Sequence, residues 1–289
     1  MGPRRGFTLV ELVVALALAG VVAALTYRML LHARLLHEWQ AERVELNTSL
    51  RTASLMLPPE LRELNATDSI ESDILVMSPD SIVYKAMRSR YLGCRPPIVS
   101  SAASGSVTLR GDLSYGLRAL DADRDAVLIF AQQDAWDRGL WIHADVEREP
   151  VGGNDCPGGS PSISVSLTGV RPMGSLVRVR AGAPVRGYET VTLRSYRDSR
   201  GDWWLGQRTL SKVSGWSRTQ PVLGPLAARG LELGYYTAGG GRARAPGEVT
   251  RIALILVGQS RVRVGRPGET RSYLADTIVA HAALRNNRR

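Results

Sequence analysis

The sequence predicts an α+β fold in which one long N-terminal helix, membrane-spanning in its first half, packs by its second half on an antiparallel β-rich head. Three observations predict it. An apolar run from Phe7 to Tyr27 is interrupted only by Thr8, Glu11 and Thr26. A helical stripe follows it with no proline until Pro58. Beyond Pro59 most of the chain consists of short β-branched segments separated by Gly, Pro, Asp and Ser.

The apolar run of about 21 residues is long enough to cross a hydrocarbon core of about 30 Å. Arg4 and Arg5 precede it, so the positive-inside rule keeps the short N-terminus in the cytoplasm and puts everything after Tyr27 on the other side. A cleavable secretory signal is the rival reading, with small residues in ALALAG as a cut site. The position of Glu11 inside the run and the helical patterning beyond it count against that rival.

Leu36, Trp39, Leu46, Leu50, Ala53 and Leu57 recur at helical spacing. Pro58-Pro59 then predicts a stop. A single helix over 7–57 would be about 76 Å long, of which only about 30 Å fits in lipid. The remainder must pack on protein, and that assigns 58–289 to the head.

In the head, AVLIFAQ, SISVSLTG, SLVRVRAG, YETVTLRSY and EVTRIALILVGQ read as strands. DSRG, between two runs of similar length, predicts a hairpin. The unbroken run from Ile252 to Val257 predicts a central strand buried on both faces, partly beneath the helix.

Composition narrows the function. The net charge is +10 and is almost wholly arginine, since Lys85 and Lys212 are the only lysines among 37 basic residues. Such a surface favours acidic polymers. Two cysteines, Cys94 and Cys156, lack zinc or redox spacing; outside the cytoplasm they are candidates for a disulfide. The histidines are scattered, and no acid pair, nucleophile pair or phosphate loop stands out, so an enzyme, a metal site and a cofactor are not expected.

Glu11 is the residue that composition does not explain. An ionisable group at bilayer depth costs about 2 to 4 kcal/mol even on lenient scales. Gly6-Phe7-Thr8-Leu9-Val10-Glu11 behind a basic leader resembles the class III signal peptide of type IV pilins and type II secretion pseudopilins. The resemblance implies a leader peptide of residues 1–6, a cut after Gly6 by prepilin peptidase and methylation of the new N-terminal Phe7. It also implies assembly of the helix, through Glu11, into a filament with other minor and major pilin subunits on an inner-membrane assembly platform. Physically, the new amino terminus at Phe7 would sit at the edge of an apolar bundle. A carboxylate on a neighbouring, axially staggered helix can pair with that terminus and set the register.

The chain departs from major pilins in having no proline before Pro58. Its ending, TIVAHAALRNNRR, resembles that of W-like minor pilins and J-like minor pseudopilins. The expected function is therefore a minor structural subunit of a type IV pilus or pseudopilus, acting in filament initiation or at the tip. The alternatives are a type II secretion minor pseudopilin, or a filament-displayed DNA-binding or uptake pilin.

Three other motifs carry less. Asp121 to Ala126, DADRDA, begins like a calcium loop but has Ala126 and Gln132 where such loops need Gly and Glu. RGD at Arg200 to Asp202 lies in the predicted hairpin turn. Trp203, Trp204 and Trp216 near Arg194, Arg197, Arg208 and Arg218 would suit a DNA-stacking surface, or a sheet core.

Overall fold

The computed structural model describes residues 8–66, 71–132 and 139–285. Helix α1 spans Leu9–Arg62, 54 residues, about 81 Å at 1.5 Å per residue. The strands are β1 (Ile74–Met77), β2 (Ser81–Leu92), β3 (Ile98–Ser101), β4 (Ser104–Arg110), β5 (Tyr115–Gly116), β6 (Asp125–Gln132), β7 (Gly139–Val146) and β8 (Val151–Gly153). They continue with β9 (Ser162–Arg171), β10 (Pro184–Arg197), β11 (Trp203–Ser211), β12 (Gly215–Trp216), β13 (Gln220–Tyr236), β14 (Arg251–Gln259) and β15 (Ala275–Ala283).

The spine of the head is the antiparallel ladder of β2 with β10, paired from Pro184 opposite Leu92 to Arg194 opposite Ser81. The other edge of β10 forks. Val185 to Glu189 pair with β6, whereas Val191 to Arg197 pair with β11. From the fork one branch runs β11, β13, β14, β15 and the other runs β6, β7, β9, β4, β3.

Each branch builds its own core. Leu46, Leu50, Ala53, Leu57 and Leu61 of α1 pack with Ile82, Leu205, Leu233, Ile252, Leu254 and Leu256. The second core joins Val107, Leu109, Val127, Ile129, Ile142, Val165 and Leu167. Period-two alternation is clean in β4, where Gly105, Val107 and Leu109 are buried between half-buried neighbours.

The helix does not stop at Pro58-Pro59; both prolines lie inside it. Each removes one backbone hydrogen bond. Pro59 is exposed and Pro58 half-buried, so carbonyls freed on this side can turn to water. Meanwhile the last turn is fastened from the head: Leu61 is 1% exposed, Glu60 pairs with Arg88 at 3.0 Å and Glu63 with Arg90, and the Arg285 N–H donates to the Arg62 carbonyl at 3.0 Å. Tertiary attachment outweighs the local stop signal.

The run from Ile252 to Val257 lies in β14 and is largely buried, but the strand is not central. It lies one place from the sheet edge, between β13 and β15, while the helix covers it as the sequence led one to expect. SLVRVRAG, read as a strand, instead forms a 3-10 turn over Ser175–Arg178 that buries Leu176; the predicted hairpin is β10 to β11. Its turn is held by Asp198, whose Oδ1 accepts the N–H groups of Arg200 and Asp202, each at 2.9 Å.

Helix and sheet meet closely at Gly258, where an added Cβ would lie 2.6 Å from Leu46 Cδ1 and 3.2 Å from both Leu50 methyls. Overpacking at such a contact costs about 1 to 3 kcal/mol. Gly258→Val in detergent-solubilised protein is therefore expected to lower the denaturant midpoint of the head by that equivalent; an unchanged midpoint would contradict the packing described.

Candidate functional site

From Leu9 to Glu45 no residue of α1 is buried, and burial begins at Leu46. The side chains left uncovered include Leu9, Leu12, Val13, Leu16, Leu18, Val21, Val22, Leu25, Met29, Leu30 and Leu31, each at least 40% exposed. An apolar surface of this extent, on a helix long and apolar enough to cross a membrane, is a surface meant for lipid or for other helices.

Its start is organised by two polar residues. Thr8 is the N-cap, and its hydroxyl accepts the Glu11 N–H at 3.2 Å. Glu11 Oε2 in return accepts the Thr8 N–H at 3.0 Å and its hydroxyl at 3.2 Å. This is a capping box, which satisfies two of the donors that any helix start leaves open. Among the described residues Glu11 has no partner outside its own first turn. Gly6 and Phe7, the expected processing positions, lie outside the described residues.

The other end of α1 joins the head through a chain of charges. Arg88 donates from Nη1 to Glu60 at 3.0 Å and from Nε to Glu189 at 2.5 Å. The second Glu189 oxygen takes Arg118 at 2.9 Å, and Arg118 also forms a two-bond fork with Asp125, 2.6 Å each. Glu189 and Asp125 are buried. Each carboxylate is matched by guanidinium donors, the condition under which buried charges are tolerated. The orientation of the head on the helix is thus fixed by apolar packing and directional bonds together.

A second polar cluster lies on the sheet. Lys85, 2% exposed, donates to Glu71 Oε2 at 2.9 Å, lies 3.3 Å from His143 Nδ1 and sits 5.5 Å from the centre of the Tyr188 ring. Burial, and then the neighbouring Lys85 ammonium, push the His143 pKa down from 6.5 to about 4. Glu71 is held below the usual carboxylate range: partial burial pushes it up, but the hydrogen bond and charge of Lys85, with Arg171, outweigh that. The cluster is a charged pair with a neutral imidazole.

The remaining sequence motifs separate in space. In DADRDA, Asp121 takes Arg124, Asp123 takes the Ser211 hydroxyl at 2.8 Å and Asp125 takes Arg118; the three carboxylates diverge to protein partners. No group of three metal-ligating side chains occurs among the described residues. Trp203 packs against the helix-side core, while the adjacent Trp204 donates to Asp198 at 3.1 Å and lies under Arg261. Neighbours on a strand face opposite ways, so the three tryptophans do not form one stacking platform. Trp216, on the short β12, lies beneath Arg208 of β11. Cys94 and Cys156 are joined as a disulfide, closing the path between β2 and β9.

Residues 1–27 match the family model described as the prokaryotic N-terminal methylation motif. Comparison with curated proteins and comparison with solved structures each gave no significant match.

The His143 environment sets a pH dependence. Its folded pKa lies below the unfolded value, so the unfolded chain binds the proton first, and stability falls as pH drops from 6.5 towards about 4. The full loss is about 3 kcal/mol at 1.36 kcal/mol per unit. His143→Gln is expected to flatten the difference in melting temperature across that window, measured against wild type; an unchanged slope would show that His143 does not titrate as described.

Proposed function

We propose that this chain, which carries the N-terminal methylation motif of the type IV pilin and pseudopilin family, is a minor structural subunit of a type IV pilus or related pseudopilus. One observation carries the reading. The motif covers residues 1–27, and directly behind it α1 runs on largely exposed, meeting the first contacts of its own head at Glu38 and Trp39 and becoming buried only from Leu46. That is the form expected of a subunit stored in the inner membrane and then packed by the same helix surface into a filament.

In this reading prepilin peptidase cuts after Gly6 and Phe7 becomes the methylated N-terminus. Thr8 and Glu11 both lie beyond the cut, so the capping box survives it. Among the described residues Glu11 bonds only through Oε2, to Thr8, so that Oε1 can receive the amino terminus of a neighbouring subunit and fix the stagger. The partners are prepilin peptidase, the other minor and major pilins and the inner-membrane assembly platform. Arg4 and Arg5 orient the leader to the cytoplasm and the head outwards.

Size supports a terminal place. A compact head of about 230 residues has a radius of gyration near 17 Å, whereas helices in a bundle pack about 8 to 10 Å apart. A head of that width is accommodated at a tip or in an initiation complex more readily than at every repeat.

Mass spectrometry of the mature protein is expected to find methyl-Phe7 as the first residue. An N-terminus near Gly20 or Val21 would overturn the assignment.

Glu11→Leu tests the assembly role. The variant is expected to insert in the membrane at least as well as wild type but to be missing from sheared filaments. Quantitative proteomics of those filaments should find the wild-type chain far below the major subunit. Normal incorporation of the variant would remove the pairing role, and a wild-type abundance equal to the major subunit would remove the terminal placement.

A further inference from the structure

Between β14 and β15 the chain forms an arm, residues 260–274, that runs back along α1 towards its apolar end. The arm is braced. Ser260 N–H donates to the Leu274 carbonyl at 2.8 Å, Leu274 N–H to Ser260 Oγ at 2.9 Å, and Val264 and Ser272 exchange two backbone bonds of 2.9 Å. Val264 is buried.

Its contacts descend the helix in order. The Arg261 N–H donates to Glu42 at 3.0 Å and its guanidinium lies 3.2 Å from Glu45. Arg266 stacks 4.6 Å above the Trp39 ring, whose environment also includes Arg43 at 5.2 Å. Arg271 reaches Glu38 at 3.7 Å. Among the described residues these are the ion pairs and ring contacts from head to helix that lie nearest the apolar run.

The charge of the arm is not spent on the helix. It contains Arg261, Arg263, Arg266 and Arg271 against one acid, Glu269. Arg261 and Arg271 meet carboxylates, but among the described residues Arg263 and Arg266 meet only aromatic rings, Tyr273 at 5.3 Å and Trp39 at 4.6 Å. Both arginines are exposed.

Height decides what they can meet. Met29, Leu30 and Leu31 extend the exposed apolar surface beyond Tyr27, and Trp39 lies about 12 Å above Leu31 at 1.5 Å per residue. Its side chain leans back towards the helix N-terminus. A headgroup layer adds about 5 to 8 Å beyond the hydrocarbon, and surface charge is felt for about another 8 Å at physiological salt. Arg266, over Trp39, falls within that reach, and Arg263 is carried on the same braced arm, beside Tyr273.

We infer that the arm is a lipid-contacting surface, with Arg263 and Arg266 receiving the phosphates of anionic phospholipids on the head side of the membrane. The inference rests on the membrane reading of α1 and adds a function to it: the arm sets the height and tilt of the stored subunit. A lipid surface is favoured over nucleic acid because the arm that carries these arginines lies along the anchoring helix itself, where a bilayer is already close and a polymer would have to enter between head and membrane.

The test is hydrogen exchange, read by mass spectrometry, on the full chain in nanodiscs. One set contains phosphatidylcholine alone and the other an equal mixture with phosphatidylglycerol. Amides of 260–274 are expected to exchange more slowly in the anionic discs, by about fivefold for each engaged arginine. High salt and the double variant Arg263→Gln, Arg266→Gln should each remove the effect, with β14 amides reporting that the variant is folded. Equal exchange of wild type in the two discs would overturn the inference. So would protection produced in phosphatidylcholine discs by inorganic phosphate or by a DNA oligonucleotide but not by phosphatidylglycerol. Amides of 9–27 report separately on the anchor: their free exchange in both discs would remove the membrane reading, whatever the arm does.

Discussion

The uncovered apolar surface of α1 is the constraint from which the rest follows. Burying a large aliphatic side chain is worth about 1.5 to 3 kcal/mol, and Leu9, Leu12, Leu16, Leu18, Leu25 and Leu30 alone are each more than half exposed. No small soluble domain tolerates that surface in water, where net stability is about 5 to 15 kcal/mol. The first half of the helix therefore needs an apolar surrounding from outside the chain. Its second half makes the opposite demand, since Leu46 to Leu61 are covered by the chain's own sheet. One continuous helix thus joins two environments, and the head must be held to it firmly enough that the junction does not yield.

That firmness comes from three attachments of different physical kinds. The leucine stripe provides area without direction. The chain from Glu60 through Arg88, Glu189 and Arg118 to Asp125 provides direction, and it crosses from the helix to β2, β10 and the start of β6, the place where the sheet forks. The arm at 260–274 grips the helix on the side towards the apolar run. Removing one member of the buried charge chain would leave its partner uncompensated, which is costlier than losing the pair; the chain is therefore a register device as much as a source of stability.

The α+β class, the helix start, the part of the stripe from Leu46 to Leu57 and the β10 to β11 hairpin were legible because each rests on local periodicity or turn chemistry, whereas Leu36, read into the same stripe, is exposed. The helix end was not, because Pro58-Pro59 is a true local stop that long-range contacts from Arg88, Arg90 and Arg285 override. The edge position of β14 was not legible either: a strand covered by a helix and one covered by other strands show the same apolar run. The charge clusters were hidden because their members are far apart in sequence, Glu60 from Glu189 and Glu71 from His143.

One signal for those clusters was nonetheless present. In a chain whose basic residues are otherwise all arginine, Lys85 and Lys212 stand apart. Both ammoniums occupy places that a planar guanidinium would fit badly. Lys85 is enclosed by Glu71, His143 and the face of Tyr188, and Lys212 donates to three backbone carbonyls, of Ala122, Asp125 and Val146, at 2.7 to 3.0 Å. Three donors on a compact head suit a site of three converging acceptors, whereas a fork suits a carboxylate. The same logic explains the arginines: Arg88 and Arg118 each reach two carboxylates at once, and Arg263 and Arg266 lie over aromatic rings. The choice between the two cations along this sequence therefore follows the geometry of what each one meets.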